Sequence, residues 1–330
     1  MDDLEGELLV MNNIVRVKVP ASTANLGPGF DSLGMALTLY SYIEMQQAEE
    51  TCIALHGEHL DGIPTDKSNL IYKVAQRVFE EAGVEIPELS ISMYSEVPLT
   101  RGLGSSASAI IGAFVAANEL IGSPLSKDRL FTLATQIEKH PDNVGASLFG
   151  GFVATAWDGD NAHYVKIDPP KELEILAVIP RFQLSTTKAR EALPKVLSLQ
   201  DAVYNISRSS LLVGAVAAGR YDLLASAMRD RIHQPYRAEL VPGMAEILEQ
   251  APLRGALGAS LSGAGPTVLA LVHKEEARKH ELENYMLQTM NSHGLEADTL
   301  WLQPDQNGVQ IITKMHTDSF LDMLKGEVKA

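Results

Sequence analysis

The stretch Pro98-Leu99-Thr100-Arg101-Gly102-Leu103-Gly104-Ser105-Ser106-Ala107-Ser108 lies between a predicted strand, 89–97, and a predicted helix, 106–120. Glycines lack a Cβ and let main-chain N–H groups close on an anion, and a helix N-terminus adds unpaired donors with partial positive charge. The serine hydroxyls are further ligands for phosphate oxygens or for Mg²⁺. The context predicts a phosphate-binding loop, and the alternative is a tight turn that only packs a small-residue helix on a sheet.

This loop is neither of two common phosphate-binding motifs. No Gly-Lys-Ser/Thr follows it, so it is not a Walker A loop, and the Gly-x-Gly-x-x-Gly spacing of dinucleotide-binding folds is absent. Two other segments, 21–31 and 261–267, are similarly rich in glycine and small polar residues. We interpret 21–31 as a loop whose Asn25 and Asp31 bind a small polar or cationic group. Its alternative is a crossover in which Asp31 caps a turn, and that of 261–267 is a plain strand connection.

Charged side chains gather in three further short segments. Glu138, His140, Asp142 and Asn143 stand where a predicted helix, 126–138, enters a predicted loop, and a carboxylate there is a suitable Mg²⁺ ligand when substrate phosphates supply the rest. The alternative is a helix C-cap formed by the imidazole. Arginines at positions 190 and 237 are candidate clamps for a substrate carboxylate, which guanidinium binds bidentately, and surface salt bridges are the alternative for each.

Composition limits the class of protein. The 330 residues carry a formal net charge of −15, which argues against nucleic-acid binding because phosphate contacts need a basic face. A single cysteine, Cys52, excludes internal disulfides and Cys-based zinc sites. The acidic N-terminus is unlike a targeting leader, and the most apolar runs, 109–117 and 211–218, are shorter than a membrane span. We expect a cytoplasmic protein without a membrane partner, in which residues 1–10 are an unstructured extension.

Hydrophobic periodicity predicts two α+β halves with a boundary near Pro169. Segment 14–19 alternates at period two and ends at Pro20, 33–45 is strand-prone, and 51–55 is expected to pair with it. Region 187–250 is mostly helical by pattern. The resulting domains are 1–168, which we expect to bind ATP, and 169–330.

The sequence resembles the GHMP kinases of small molecules, and within that family the branch that phosphorylates L-homoserine. The resemblance runs from about Ile14 to the C-terminal strands and rests on segments 21–31, 98–108 and 262–267 in the family's order. The runs Ala-Asn-Leu-Gly-Pro-Gly-Phe-Asp and His-Pro-Asp-Asn-Val are particular to that branch.

The resemblance implies a fold and a reaction. The fold has an N-terminal domain of the ribosomal-protein-S5-domain-2 type and a ferredoxin-like C-terminal domain, with the active site between them. The implied reaction transfers the γ-phosphoryl of ATP to the hydroxyl of L-homoserine, giving O-phospho-L-homoserine and ADP in threonine biosynthesis. ATP and Mg²⁺ are the implied cofactors, and a homodimer is the implied assembly.

Family roles map onto single positions of this chain. The phosphate loop corresponds to 98–108, the adenine contact to Asn69, and the Mg²⁺-associated pair to Ser106 and Glu138. The family positions that hold the substrate correspond to Asn25, Asp31, His140, Thr186, Arg190 and Arg237. The catalytic set is Asn143, Arg190 and Asp31, with Asn143 beside the reacting hydroxyl.

The chain departs from family patterns in this region. Several other GHMP kinases use an aspartate as catalytic base, but the matching position here is Asn143, which cannot accept a proton. We therefore expect direct transfer without a strong enzymic base. Lys139 stands where a glycine is common, and Gly145-Ala146-Ser147 replaces a run that is often Ala-Pro-Ala.

Two other functions remain open. One is a GHMP kinase for another small alcohol, such as a sugar or mevalonate, whose substrate has no ammonium group for Asp31 to bind. The other is a non-catalytic nucleotide-binding module, although the phosphate loop and Glu138 are both intact.

Overall fold

A computed structural model describes residues 14–57, 60, 62–85, 88–312 and 319–328, so the predicted extension 1–10 lies outside the described residues. In the first half of the chain, strands form one sheet and the helices pack on it. These elements are β1 (Val15–Asn25), β2 (Gly29–Gln47), β3 (Cys52–His56), α1 (Leu70–Ala82), β4 (Leu89–Ser95), α2 (Ser105–Leu120), α3 (Lys127–Glu138), α4 (Asp142–Phe149), β5 (Phe152–Trp157) and β6 (Ala162–Ile167).

The second half carries its own sheet and most of the shorter helices. Its elements are β7 (Leu173–Pro180), α5 (Thr186–Glu191), α6 (Leu199–Ala218), α7 (Leu224–Ala227), α8 (Gln234–Arg237), α9 (Met244–Gln250), β8 (Ala256–Leu261), β9 (Val268–His273), α10 (Lys279–Ser292) and β10 (Ala297–Leu302). The described chain ends with β11 (Gln310–Ile311) and α11 (Phe320–Glu327). Among the described residues, no helix has the length and apolar character that crossing a membrane requires.

The two sheets have different topologies. The first has seven strands in the order β11-β1-β2-β4-β3, with β5 and β6 continuing from β2. The second has four antiparallel strands in the order β10-β7-β9-β8. Strand order 4-1-3-2 with intervening helices is the ferredoxin-like arrangement. The predicted α+β class is therefore confirmed.

The end of the chain returns to the first sheet. β11 pairs with β1, and Leu37 of β2 bridges to Pro304. α11 buries Phe320, Met323 and Leu324 against Tyr42 of β2. The predicted boundary near Pro169 falls in the connection between β6 and β7, but the described residues beyond β10 pack on the first half. The division into 1–168 and 169–330 stays a prediction.

Three local predictions are wrong. β1 does not stop at Pro20: a register shift between Pro20 and Ala21 accommodates the missing N–H, and the strand continues to Asn25. The predicted loop 21–31 is therefore largely a β-hairpin. Segment 52–56 pairs in parallel with β4, not with β2, because β4 lies between them. Asp142 and Asn143 lie in the first turn of α4 rather than in a loop.

An apolar core joins the halves. Leu26, Leu33 and Met35 from the β1–β2 hairpin are buried in one cluster with Ile175 and Leu269 from the second sheet. Burial of apolar area is non-directional but large when summed over such a cluster. The hairpin, which carries Asn25 and Asp31, is therefore fixed against the second half.

The halves also approach backbone to backbone at Gly102. A Cβ built at this residue would lie 2.3 Å from the carbonyl oxygen of Ser262, and its φ is +81°. Gly122 has the same φ of +81°, and no atom of the residues that the structure describes lies within 4 Å of such a Cβ. A comparison of alanine substitutions at Gly102 and Gly122 therefore separates the energetic cost of a left-handed backbone from the cost of a close backbone contact.

We predict that Gly102→Ala lowers the free energy of unfolding by about 3 kcal/mol or more, and that Gly122→Ala lowers it by only about 1 kcal/mol. Urea unfolding of both variants measures the difference. Equal losses would contradict the close contact between the halves.

Candidate active site

The three glycine-rich segments meet between the two halves. The Ser22 amide donates to the Leu103 carbonyl at 3.1 Å, and the Gly263 amide donates to the Ala24 carbonyl at 3.1 Å. The Ser262 hydroxyl donates to the Gly102 carbonyl at 2.6 Å. Segment 261–267 is thus more than a strand connection, because it closes one side of a shared site.

The segment 98–108 has the predicted strand–turn–helix context. α2 begins at Ser105, and its N-cap, Gly104, offers no side chain to the first-turn amides. The Ser106 hydroxyl donates to Oε1 of Glu138 across the loop. Nη1 of Arg101 is buried and has no hydrogen-bond partner in the described part of the chain, and burial lowers the pKa of this guanidinium. First-turn amides without a side-chain cap, together with a hydroxyl and a carboxylate, are a set of groups that suits a phosphate and its Mg²⁺ ion.

The side chain of Asn69 is not available to contact adenine. It is 1% exposed and caps α1, since its Oδ1 accepts from the Ile71 amide at 2.8 Å. Its Nδ2 donates to the Pro64 carbonyl at 2.6 Å. Both ends of the side-chain amide are therefore engaged, and the main-chain N–H of Asn69 donates to the Asp66 carbonyl at 2.9 Å. The adenine contact stays a prediction.

The residues predicted to hold the substrate line one small pocket beside these loops. From the first half it is lined by Ala24, Asn25, Phe30, Asp31, His140, Asp142 and Asn143, and from the second by Thr186, Arg190, Arg237, Gly263 and Ala264. Asn25 joins its two walls, because its Oδ1 accepts from the Asp31 amide at 3.0 Å and its Nδ2 donates to the Gly263 carbonyl at 2.9 Å. The bond from Asn25 to Gly263 joins residues that are 238 positions apart in sequence.

Asp31 and Arg190 form a bidentate ion pair across the pocket. Nη1 and Nη2 of Arg190 donate to the two carboxylate oxygens at 3.0 and 2.7 Å. Burial acts to lower the pKa of Arg190, but the hydrogen bonds and charge of Asp31 outweigh it, so the pKa is raised. Asp31 has a left-handed backbone with φ +54°, a strained conformation for a residue other than glycine. The pair is about one-third exposed and is open to a ligand that carries both charges.

Arg237 is a buried cation with no carboxylate within salt-bridge distance among the described residues. It is 2% exposed, its Nε donates to the Ala189 carbonyl at 3.1 Å, and its Nη1 donates to the Gly263 carbonyl at 3.0 Å. Burial and the like charge of Arg190 lower its pKa to about 10. A buried guanidinium whose hydrogen-bond partners are all uncharged favours the arrival of an anion.

His233 holds Arg237 in position through a hydrogen bond. Its Nε2 lies 2.6 Å from the Gly27 carbonyl, and its Nδ1 lies 3.2 Å from Nη1 of Arg237. A carbonyl can only accept and a guanidinium can only donate, so the imidazole is neutral with its proton on Nε2. Burial lowers the pKa of His233, which agrees with that form. One side chain thus connects the β1–β2 turn to the pocket that Arg237 lines.

The opposite wall is a hydrogen-bonded series around Asn143. Nδ1 of His140 lies 2.9 Å from Oδ1 of Asp142, the same oxygen that accepts from the Asn143 amide at 2.7 Å. Burial lowers the pKa of His140, but its hydrogen bond to Asp142 and the nearby carboxylates outweigh burial and raise it. The Ser22 hydroxyl donates to Oδ1 of Asn143 at 2.9 Å, which leaves the Asn143 NH₂ group for a ligand.

Three functional residues were not among the sequence predictions. The centre of the Phe30 ring lies 5.3 Å from the guanidinium carbon of Arg190 and 5.4 Å from that of Arg237, so the ring is within cation–π distance of both cations. Ser22 and His233 orient Asn143 and Arg237. Phe30 and Ser22 lie inside segment 21–31, and His233 is four residues before Arg237 on one short helical turn, so proximity in sequence was the available signal.

The neutral His233 predicts a pH dependence of stability. The folded-state pKa lies below the ordinary value, so as the pH falls below about 6.5 the unfolded chain takes up a proton that the folded chain does not, and stability falls. We expect wild type to lose more unfolding free energy than His233→Gln between pH 7.5 and 5.5, by up to about 1.4 kcal/mol per pH unit. Urea unfolding at both pH values measures this, and equal losses would contradict a neutral His233.

Comparison with known protein families gives a match in each half of the chain. The model of the GHMP kinase N-terminal domain matches residues 69–151, and that of the GHMP kinase C-terminal domain matches residues 212–290. Fold and site together are those of an ATP-dependent small-molecule kinase of the GHMP class.

Similarity to individual proteins is more specific. A homoserine kinase of Desulfitobacterium hafniense is 45% identical over 91% of this chain and 100% of its own length, and one of Deinococcus radiodurans is 43% identical over 89% and 96%. The crystal structure of homoserine kinase from Cytophaga hutchinsonii has a TM-score of 0.82 at 28% identity, covering 92% of this chain and 98% of that one. The chain belongs to the homoserine kinase family.

Proposed function

We propose that this protein transfers the γ-phosphoryl group of ATP to the hydroxyl of L-homoserine, giving O-phospho-L-homoserine and ADP in threonine biosynthesis. The observation that carries the proposal is a pocket beside the phosphate loop that contains a carboxylate, Asp31, and two guanidinium groups, those of Arg190 and Arg237. A zwitterionic amino acid needs this combination of charges. Relatives that match this protein over most of its length are homoserine kinases.

Substrate binding would exchange one ion pair for two. The ammonium group takes the Asp31 carboxylate, and the substrate carboxylate takes Arg190 together with Arg237. In the free protein Asp31 and Arg190 pair with each other. When the substrate binds, each pairs with a charge of the ligand instead, so neither is left unpaired. Asn25 and Thr186 hold the rest of the small molecule from opposite walls, and His140 lies beside them.

ATP would be held mainly by main chain. The amides of the 98–108 loop and of the α2 N-terminus receive the phosphates, and Ser106 and Glu138 hold Mg²⁺, which neutralises phosphate charge when bound. Phosphoryl transfer needs positioning and charge neutralisation more than covalent chemistry. In a chain of net charge −15, amides and a metal ion are a substitute for scarce lysine and arginine.

The hydroxyl proton would be released without a strong enzymic base. Asn143 cannot accept a proton, and the buried Asp142 carboxylate already accepts from His140 and from the Asn143 amide. The Asn143 NH₂ group is free to donate to the hydroxyl oxygen of the substrate or to the transferring phosphoryl group, which positions them. The bond that forms joins the homoserine oxygen to the γ-phosphorus, the bond to the β–γ bridging oxygen breaks, and the proton passes to phosphate or water.

Another alcohol is the main competing substrate. Mevalonate has a carboxylate without an ammonium group, and sugars have neither, so each would leave part of the pocket charge unsatisfied. A binding module without activity is disfavoured because the Ser106–Glu138 pair is formed and the loop is intact. Because ATP and an amino acid are the substrates, we also propose that the protein works in the cytoplasm, and that it does so as a homodimer.

Substrate analogues test the assignment of charges. L-Homoserine without its carboxylate is 3-aminopropan-1-ol, and without its ammonium group it is 4-hydroxybutanoate. We expect Arg237→Gln to lower kcat/KM for L-homoserine about 100-fold but to change little with 3-aminopropan-1-ol, because that substrate has no carboxylate to lose a partner. We expect Asp31→Asn to lower kcat/KM strongly for L-homoserine but to change it little with 4-hydroxybutanoate, because that substrate has no ammonium group. Coupled ADP release measures both.

Arg181→Gln is the control, since this arginine is exposed and pairs with Asp298 away from the pocket. It should behave like wild type with all three substrates. Parallel losses of Arg237→Gln with every substrate would contradict a carboxylate role for Arg237, and absence of turnover with L-homoserine would reject the function itself.

The metal assignment has its own test. We expect Glu138→Gln to raise the Mg²⁺ concentration for half-maximal activity at least 10-fold, because a neutral amide is a poorer ligand for a hard cation. Glu119→Gln is a matched control, because Glu119 accepts from the Ser123 hydroxyl at the far end of α2 much as Glu138 accepts from Ser106. A Mg²⁺ requirement unchanged in Glu138→Gln would contradict the assignment.

A further inference from the structure

The outer face of α6 is apolar and exposed along the whole helix. Leu199 is 81% exposed, Val203 56% and Ile206 66%. Ser210, Gly214 and Ala217 continue the same line toward the C-terminus and are also exposed. At 100° per residue these six positions fall on one side of the helix. They are called the α6 stripe below.

Charged side chains of α6 lie off this stripe. Asp201 pairs with Arg231 at 3.4 Å, and Arg208 donates to the Ser226 hydroxyl at 3.0 Å, so both turn toward their own chain. Asn205, on another face of the helix, is bonded within its own chain: its Nδ2 donates to Asp230 at 2.7 Å and its Oδ1 accepts from the Arg231 amide at 2.9 Å. The stripe is thus an uncharged surface on a chain with a net charge of −15.

Gly214, in the C-terminal part of the stripe, has no close neighbour among the described residues. A Cβ at this position would meet no described atom within 4 Å, although a glycine inside a helix costs about 1 kcal/mol relative to alanine. The Ser210 hydroxyl donates back to the Ile206 carbonyl at 2.8 Å, so it presents no free donor. Small residues at this point would let another helix approach closely.

We propose that the α6 stripe is the contact surface between two copies of this chain, related by a two-fold axis with the α6 helices antiparallel. In that arrangement each large residue of one helix faces a small residue of the other. Leu199 faces Ala217 of the second copy, Val203 faces Gly214, and Ile206 faces Ser210. The position numbers of these pairs sum to 416, 417 and 416, so one axis near residue 208 relates all three.

A second copy explains the stripe better than an unrelated partner does. A two-fold interface requires one patch to be complementary to itself, and the large half of the stripe matches its own small half under that operation. Two chains with net charge −15 repel each other, so their contact must exclude charge from its centre, as the stripe does. Exposed Val196 and Leu197, just before α6, extend the apolar surface. This inference deepens the homodimer part of the proposed function.

The oligomeric state tests the proposal first. We expect sedimentation equilibrium to give wild type a mass of twice the 35.8 kDa of one chain at micromolar concentration. Ile206→Asp places a charge beside the axis and should raise the dimer dissociation constant at least 100-fold without unfolding an exposed position. Val165→Asp is the control, because Val165 is 62% exposed on β6, outside the stripe. A monomeric wild type, or a dimer that Ile206→Asp leaves intact, would overturn the proposal.

Cross-linking tests the antiparallel register. In a background with the exposed Cys52 replaced by serine, chains that carry Val203→Cys are mixed with chains that carry Gly214→Cys and oxidised. The mixture should form a disulfide-linked dimer, whereas each variant alone should not, since identical positions lie about 16 Å apart along antiparallel helices. Equal cross-linking of either variant alone would overturn the register.

Activity separates this inference from the proposed reaction. Phosphorylation of L-homoserine by a monomeric protein would reject the interface and leave the reaction standing. A dimer that cross-links as expected but lacks L-homoserine turnover would reject the reaction and leave the interface standing.

Discussion

The buried positive charge of Arg237 is the constraint on which the rest of the site depends. A guanidinium at 2% exposure would be costly if its donors were unpaired, and it is satisfied by the Ala189 and Gly263 carbonyls and by a neutral His233. Each of these partners comes from a different segment. Holding one cation therefore fixes α5, the 261–267 loop and the α8 turn relative to one another.

That arrangement explains why the site lies between the two halves. His233 also contacts the Gly27 carbonyl, and Asn25 contacts the Gly263 carbonyl, so the β1–β2 hairpin is bound to the same group of residues. The shared apolar core beneath the hairpin limits relative motion. Specific recognition of a small zwitterion needs charges held at fixed separation, and two interlocked halves supply that rigidity.

Sequence predicted the parts of the protein that are local. The strand–turn–helix context of 98–108 was predictable because strand, turn and helix signals are contiguous there, and the predicted helix 126–138 begins within one residue of α3. Proline at position 20 was misleading, because a register shift, which only the partner strand reveals, lets β1 continue. Pairing of β3 with β4, and of β11 with β1, depends on contacts between distant segments that no local pattern encodes.

The same limit applies within the site. Residue types and family motifs identified Asp31, Arg190 and Arg237 as a charge set, but not that Asp31 and Arg190 pair with each other while Arg237 is buried. The sequence also did not predict that Asn69 is buried, because a polar side chain is usually found at the surface or in contact with a ligand. Lys139 stands at a left-handed position, φ +69°, where α3 ends, which accounts for the glycine that is common at this place in the family.

A crystal structure with L-homoserine and a non-hydrolysable ATP analogue is the most direct test of how these charges are used. The account predicts the substrate carboxylate within hydrogen-bonding distance of Arg237 and Arg190, the ammonium group on Asp31 with its ion pair to Arg190 opened, and the hydroxyl beside Asn143, directed toward the analogue's γ-phosphate. A substrate bound with Arg237 uncontacted and the Asp31–Arg190 pair intact would contradict it.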